Sequence, residues 1–268
     1  MITLRSHDIF TPERWHQLSY LHGKPITPSL HEHVKKVYSQ NGEEGILQEI
    51  FRRIKTTNTF CIEFGAYDGK WLSNTKLFRD QGWKALLLDS DIPGHKPEMN
   101  LYRVHLTPAN IEAVFFYHNV PLSFDLLSID VDGNDFWLWR AIQNYRPRVV
   151  VIEFNSALPN HIPLCVAYSD KNGDVPTSHY YGANLLALLK LAKEKKYEFV
   201  TLLADNLIFV TEEDYPQLNL PKLTHEHIIK NYFQPCKELF HRKDKRNRLW
   251  INPFLVELPK RSKEDFTV

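Results

Sequence analysis

Five short apolar runs separated by helix-like stretches constrain the fold of this chain more than any other feature. The runs cover residues 59–65, 84–89, 102–106, 124–130 and 148–154, and helical patterns cover 73–81, 108–118 and 134–144 between them. This alternation predicts a mostly parallel sheet with helices on both faces, because parallel strands are joined by crossover helices. The continuous apolar character of several runs is typical of strands that are buried on both faces.

The remainder of the chain adds a hairpin and two extensions. Residues 182–196 have a helical pattern, and 197–213 read as two strands joined at Asp205-Asn206, which adds an antiparallel edge to the sheet. Asn41 and Glu44 form an N-x-x-E pattern that predicts the start of the first helix of the domain. The predicted organisation is an N-terminal extension (1–40), a ligand-binding domain (41–213), and a helical, basic C-terminal extension (214–268) packed on the same domain.

Charge and composition exclude several classes of protein. The net charge of +1 argues against nucleic acid as the partner of the whole chain, although residues 237–263 carry a local charge of +6. That segment is either a solvated surface or a patch for an anionic partner. No apolar run reaches the length of a membrane span, and no signal pattern opens the chain. Three scattered cysteines fit a reducing compartment, so a cytoplasmic location is expected.

Carboxylates follow nearly every predicted strand. Glu63 lies in the first, Asp89 ends the second, Asp130 and Asp132 follow the fourth, and Glu153 with Asn155 follows the fifth. Ligands of open parallel sheets bind beyond the carboxyl ends of the strands. These residues are therefore expected around one crevice, where acids face cations, hydroxyls or amines.

The turn after the first strand narrows the choice of ligand. Gly65 and Gly69 allow sharp turns and a close approach of the backbone to a ligand, but the motif is neither G-x-G-x-x-G nor a phosphate loop. Asp89 lies at the end of the second strand, where a carboxylate accepts hydrogen bonds from both ribose hydroxyls. An adenosine joined to an amino acid, without a pyrophosphate, indicates S-adenosylmethionine.

The motifs together resemble the FkbM-like class of S-adenosylmethionine-dependent methyltransferases. The matching blocks are Y-S-Q-N-G-E-E-G-I-L (38–47), E-F-G-A-Y-D-G-K-W-L-S-N-T (63–75), L-L-L-D (86–89), S-I-D-V-D-G-N-D-F-W-L-W (128–139), V-V-V-I-E-F-N-S (149–156) and Y-Y-G-A-N-L (180–185). They occur in family order over residues 38–211. The resemblance implies a Rossmann-like class I methyltransferase fold, an α/β architecture with a seven-stranded, mostly parallel sheet, one antiparallel strand and helices on both faces.

The resemblance also implies the residues that contact the cofactor. They are Gln40, Glu63, Gly65, Ala66, Asp68, Gly69, Asn74, Asp89, His105 and Asp130. Glu63 and the glycine turn would surround the methionine part, Asp89 the ribose, and His105 the adenine. Ala66-Tyr67 stands where many class I enzymes have further glycines, so this sequence departs from the pattern at the methionine pocket.

The implied reaction is methyl transfer to a nucleophile, and the family favours hydroxyls of sugars and small molecules, so a small-molecule or glycan acceptor is expected. Asp130 or Asp132 is the first candidate for the general base, and His179 the second. The oxygen ligands Asp130, Asp132, Glu153 and Asn155 also suit Mg²⁺ or Mn²⁺. The alternative is that these groups bind substrate hydroxyls or the cofactor's ammonium group directly.

Three other functions remain open at the level of sequence. The first is a non-catalytic binding or regulatory module that retains the sheet. The second is a nicotinamide-dependent oxidoreductase, against which the missing G-x-G-x-x-G argues. The third is a nucleic-acid methyltransferase, which rests only on the basic segment 237–263.

Overall fold

The computed structural model describes residues 3–5, 28–156, 158–170, 180–232 and 248–257. Its strands are β1 (Thr3–Arg5), β2 (Phe60–Phe64), β3 (Lys84–Asp89), β4 (Leu101–Arg103), β5 (Ser123–Ile129), β6 (Arg146–Glu153), β7 (Cys165–Val166), β8 (Tyr197–Leu203), β9 (Asn206–Thr211) and β10 (Leu249–Ile251). Its α-helices are α1 (Pro28–His31), α2 (Glu43–Ile54), α3 (Lys76–Asp80), α4 (Ile111–Tyr117), α5 (Asp135–Ala141), α6 (Leu185–Glu194) and α7 (His225–Tyr232).

Seven strands form the central sheet in the order β4-β3-β2-β5-β6-β9-β8. The strands from β4 to β6 are parallel, whereas β9 is antiparallel to both of its neighbours. This is a Rossmann-like α/β sheet, so the predicted architecture of seven mostly parallel strands with one antiparallel strand is confirmed. The chain reverses its direction of progress across the sheet between β2 and β5, which places the topological switch point at their carboxyl ends.

Both faces of the sheet are covered by apolar side chains. On one face, Phe64 and Ile152 pack against helices α4, α5 and α6. On the other face, Cys61 and Val151 pack against α2 and α3. Alternate side chains of a strand point to opposite faces, so a strand buried on both sides has a continuous apolar sequence. The run Val149–Ile152 is fully buried for this reason.

A second, three-stranded antiparallel sheet joins distant parts of the chain in the order β1-β10-β7. The guanidinium of Arg140 in α5 donates to the carbonyl oxygens of Pro253 and Val256, 2.7 and 3.0 Å away, directly after β10. Segments that are distant in sequence are therefore held against the main domain. In the part of the chain that the structure describes, no helix has the length and apolar character needed to cross a membrane.

The predicted helices are shorter by a few residues in the structure, and two further local predictions near the site differ from it. The third strand ends at Arg103, so His105 lies in the loop that follows it. The first domain helix is capped by Gly42, whose φ of 97° is left-handed, and the Asn41 side chain donates instead to Glu43. Asn41 is thus not the cap, because the chain reverses at the glycine before the helix begins.

Candidate functional site

A crevice of about 520 Å³ opens at the carboxyl ends of β2, β3, β5 and β6. Among the residues predicted to form the site, those that line it are Gln40, Glu63, Gly65, Ala66, Asn74, Asp89, His105, Asp130, Asp132 and Glu153. The parallel strands bring these residues together from a span of more than a hundred positions. None of the described residues that line the crevice is Lys or Arg.

Glu63 is fixed at the floor of the crevice by the segment that precedes α3. One carboxylate oxygen accepts the backbone N–H of Asn74 at 2.8 Å, and the other accepts the hydroxyls of Ser73 and Thr75, both at 2.7 Å. The Asn74 amide donates to the Ser128 hydroxyl at 3.0 Å, while its buried Oδ1 has no hydrogen-bond partner. A buried acceptor without a donor is costly, so this oxygen suits a ligand that donates a hydrogen bond.

The turn after β2 brings backbone close to the crevice. Gly65 has a φ of 69°, and a Cβ there would lie 1.7 Å from the Asp130 carbonyl oxygen, so only glycine fits. Asp89 accepts the backbone N–H of Tyr67 and of Asp91, each at 2.7 Å, through different carboxylate oxygens. Since a carboxylate oxygen has two lone pairs, each oxygen of Asp89 retains capacity for a ligand hydroxyl.

Glu44 organises the segment that places Gln40 at the crevice. Its buried carboxylate accepts the backbone N–H groups of Val37, Tyr38 and Ser39 at 2.8, 2.6 and 3.0 Å, and also the Ser39 hydroxyl. Ser39 additionally forms a parallel bridge with Leu72 in the turn after β2. The N-terminal side of the crevice is therefore tied both to α2 and to the glycine turn.

Three carboxylates converge at the ends of β5 and β6. One oxygen of each of Asp130, Asp135 and Glu153 lies within 4.8 Å of the others. Asp135 also accepts the backbone N–H groups of Val131 and Gly133 at 2.8 and 3.0 Å, which closes the turn between β5 and α5. One oxygen of Glu153 is buried without a hydrogen-bond partner.

The crowding of these acids changes their protonation. Removal from water raises the pKa of Asp130 well above its usual range, and the charge of Asp135 adds to this effect. Burial raises the pKa of Asp135 to about 6, although the N–H groups of Val131 and Gly133 act against it. Desolvation and the charge of Asp130 likewise raise the pKa of Glu153. Such a group readily accepts a proton near neutral pH or pairs with a cation.

Several predicted residues lie elsewhere. Asp68 does not line the crevice. Its carboxylate accepts the backbone N–H groups of Trp71 and Lys70, which lowers its pKa. Gly69 lies behind the turn, where a Cβ would be 2.9 Å from Met99. The Asn155 side-chain nitrogen donates to the Tyr181 carbonyl oxygen at 2.9 Å, and the exposed Asp132 is not part of the three-carboxylate group. His179 lies outside the described residues.

The structure adds residues that the sequence analysis did not assign to the site. Asp135 joins Asp130 and Glu153, although an aspartate in the first turn of a helix usually reads as a capping residue. Ser73 and Thr75 hold Glu63, and the sequence signal for them is the S-N-T segment at the start of the predicted helix. Tyr67 and Trp71 border the crevice as well.

No protein-family model matches the sequence, and no curated protein matches it. Among solved structures, the chain is similar to an S-adenosylmethionine-dependent methyltransferase from Clostridium acetobutylicum ATCC 824, with 9% identity and a TM-score of 0.32 over 63% of this chain and 90% of that one. It is also similar to the MycE methyltransferase of the mycinamycin biosynthetic pathway, solved with Mg, SAH and mycinamycin VI, with 13% identity and a TM-score of 0.34 over 60% of this chain and 47% of that one. A third similar structure is the CMeT domain of citrinin polyketide synthase, with 11% identity and a TM-score of 0.30 over 63% of this chain and 50% of that one. The chain thus spans about half the length of the last two, and these values are too low to assign an activity.

Proposed function

We propose that this protein is an S-adenosylmethionine-dependent methyltransferase of the FkbM-like class that methylates a hydroxyl group of a sugar or another small molecule. One observation carries the proposal: Glu63, Gly65 and Asp89 border one crevice at the switch point of a seven-stranded sheet. The order of the motifs along the chain supports the same assignment. S-adenosylmethionine supplies an electrophilic methyl group on a sulfonium sulfur.

The crevice fits the parts of this cofactor. Asp89 holds the ribose hydroxyls through the lone pairs that its two backbone contacts leave available. The unpartnered Oδ1 of Asn74 accepts a hydrogen bond from the ammonium group, beside the fixed carboxylate of Glu63. Gly65 leaves room for the methionine part to approach the backbone. His105 and Leu106, which follow β4, border the adenine.

Asp130 is the proposed general base. It lines the crevice and its pKa is raised, so the carboxylate is basic enough to take a hydroxyl proton as the new oxygen–carbon bond forms and the carbon–sulfur bond breaks. The electron pair of the breaking bond stays on sulfur, and the proton stays on Asp130. The remaining contribution of the chain is to align the acceptor oxygen with the methyl group. Asp132 is the alternative base.

The second proposed role of the same acids is to bind a divalent cation. Asp130, Asp135 and Glu153 would hold Mg²⁺ or Mn²⁺ through oxygen ligands, and the unpartnered oxygen of Glu153 fits this role. Such an ion would lower the pKa of an acceptor hydroxyl. Asp132, another predicted ligand, would have to move to join the group.

Formation of S-adenosylhomocysteine tests the proposed reaction. Purified protein is incubated with S-adenosylmethionine and a collection of hydroxylated small molecules, with and without a chelator. Acceptor-dependent release of S-adenosylhomocysteine supports the proposal, and loss of activity that Mg²⁺ or Mn²⁺ restores supports the metal role. Activity that is unchanged by the chelator leaves Asp130 as the base without a metal. Failure of folded protein to bind S-adenosylmethionine would contradict the proposal.

A further inference from the structure

Two large aromatic side chains stand exposed on the rim of the crevice. Tyr67 and Trp71 both line it, yet 57% and 65% of their surfaces remain accessible to solvent. Their ring centroids are 5.9 Å apart and their planes meet at 65°, an edge-to-face arrangement. By contrast, Trp137, Trp139 and Trp250 are completely buried. Large rings that stay exposed beside a polar crevice are typical of a binding surface.

The backbone that presents this aromatic pair is held firmly. The Tyr67 N–H donates to Asp89 at 2.7 Å, and the Trp71 N–H donates to Asp68 at 2.8 Å. Tyr67 and Leu72 have φ values of 45° and 55°, a left-handed conformation that bulky residues rarely adopt. Strained residues of this kind concentrate where a ligand is bound. The hydrogen bonds and the left-handed residues of the turn therefore hold the backbone in the conformation that exposes both rings.

The acidic side chains of the crevice limit the charge of a ligand that can bind at Tyr67 and Trp71. Six acids line it, namely Glu63, Asp89, Asp91, Asp130, Asp132 and Glu153, and no described Lys or Arg does. An acceptor with a net negative charge would be repelled, whereas the cofactor carries its own positive charges and acceptor hydroxyl groups donate hydrogen bonds to carboxylates. The cofactor is assigned to the strand ends at Glu63 and Asp89, which leaves the exposed rim for the second substrate.

We propose that Tyr67 and Trp71 form a platform on which a hydroxylated ring of the acceptor stacks, and that this ring carries no anionic group. The inference rests on the proposed methyltransferase function and specifies the acceptor of that same site. The pair positions the acceptor through ring contacts while the carboxylates receive its hydroxyls. No bond forms or breaks at either aromatic residue.

Quenching of tryptophan fluorescence by acrylamide tests the platform without an activity assay. Trp71 is exposed, Trp83 is half-buried, and Trp137, Trp139 and Trp250 are buried, while Trp15 lies outside the described residues. The signal of Trp71 is therefore taken as the difference between the wild type and Trp71→Phe. Protein saturated with S-adenosylhomocysteine is titrated with two neutral probes, catechol and methyl β-D-glucopyranoside. Their anionic counterparts are 3,4-dihydroxybenzoate and glucose 6-phosphate. At least one neutral probe is expected to protect Trp71, and its anionic counterpart to bind about tenfold more weakly or worse.

Variants assign the effect to the pair. Trp71→Phe is expected to remove the protectable signal, and Tyr67→Ala to weaken the neutral probe about tenfold with unchanged affinity for S-adenosylhomocysteine. Phe116→Ala is the matched control, because Phe116 is 81% exposed but does not line the crevice, and it is expected to behave like the wild type.

Three results would overturn the platform: protection by neither neutral probe, full protection by S-adenosylhomocysteine alone, or equal binding of a neutral probe and its anionic counterpart. Calorimetry with S-adenosylhomocysteine separates this failure from failure of the proposed function. If that ligand does not bind, the methyltransferase proposal fails, and the same quenching titrations on ligand-free protein then decide the platform.

Discussion

At the scale of single residues, the role of each carboxylate in the site depends on how many hydrogen bonds it accepts from the protein. Glu63 and Glu44 each accept three or more hydrogen bonds from the protein, so Glu63 is a fixed part of the crevice and Glu44 fixes the segment that leads to Gln40. Asp130 differs, because it stands beside Asp135 and Glu153 with a raised pKa. A carboxylate in that environment has the basicity that proton abstraction needs.

Asp130→Asn is expected to lower the rate of methyl transfer about 100-fold or more, since an amide cannot accept the hydroxyl proton. Affinity for S-adenosylhomocysteine should change little, because the proposed main cofactor contacts are Asp89, Asn74 and Glu63. Single-turnover rates and calorimetric titrations of the same preparation check both parts. A fully active variant would exclude Asp130 both as base and as metal ligand.

The rate should also depend on pH in a defined direction. Only the deprotonated Asp130 accepts a proton, and desolvation together with Asp135 raises its pKa. The rate is therefore expected to rise with pH through a value well above that of an ordinary carboxyl group. A pH–rate profile of kcat/KM measures this, and a flat profile from acidic to neutral pH would contradict the role of Asp130.

At the scale of elements, helix α2 links stability to the geometry of the site. Its apolar side packs Ile46, Ile50 and Ile54 into the core, while its first turn presents Glu44 to the backbone of the preceding segment. That contact orders the chain just before Gln40. A change in this helix should therefore affect cofactor binding without touching the crevice.

Glu44→Ala would remove the acceptor of three backbone N–H groups, of which that of Ser39 lies in a buried residue. We expect the free energy of unfolding to fall by about 2–4 kcal/mol and cofactor affinity to weaken. Glu44→Gln is the matched control, since its carbonyl oxygen still accepts the three N–H groups, and it should retain most of both properties. Urea denaturation and calorimetry make the comparison, and equal behaviour of the two variants would refute this role.

The same helix carries a pH-dependent interaction. Hydrogen bonds from Arg52 hold the pKa of Glu49 at about 2, with burial opposing them and Arg53 assisting. Because the folded-state pKa lies below the usual carboxyl value, this stabilisation is present at neutral pH and is lost as pH falls below about 5. Glu49→Gln should therefore be less stable than the wild type at pH 7, with a difference that shrinks on acidification. A constant difference across denaturation curves at several pH values would contradict this.

At the scale of the whole molecule, the sheet β1-β10-β7 holds together segments that are far apart in sequence. Trp250 in β10 is completely buried and packs on Tyr180, with ring centroids 4.7 Å apart. This packing lies outside the crevice residues. Stability and ligand binding should therefore respond separately to changes here.

Trp250→Ala is expected to lower the free energy of unfolding by about 3–5 kcal/mol, the usual cost of truncating a buried tryptophan. The neighbouring Leu249 is 43% exposed, and Leu249→Ala should cost much less. Denaturation midpoints check the difference, and S-adenosylhomocysteine affinity under native conditions should be retained by both variants. A similar loss in both would mean that burial of Trp250 does not stabilise the second sheet.

The sheet was predictable from the sequence because short, continuous apolar runs such as Val149–Ile152 are typical of strands that are buried on both faces. Glu63, Asp89 and Asp130 were predictable as neighbours because parallel strands bring their carboxyl ends to one edge. Asp135 was not, because its approach to Glu153 depends on a turn in which Asp132 has a φ of 53°. Side-chain contacts across such turns leave no periodic signal in a single sequence.

The most direct test of the proposed function is calorimetric titration of the folded protein with S-adenosylmethionine and with S-adenosylhomocysteine. We expect both to bind, with affinity reduced roughly 10- to 100-fold in Asp89→Ala, because hydrogen bonds to the ribose hydroxyls are lost. Glu98→Ala removes an exposed acid that does not line the crevice, and it should bind like the wild type. Absence of binding by folded wild-type protein, or equal affinity in Asp89→Ala, would contradict the assignment and favour a non-catalytic module or another ligand.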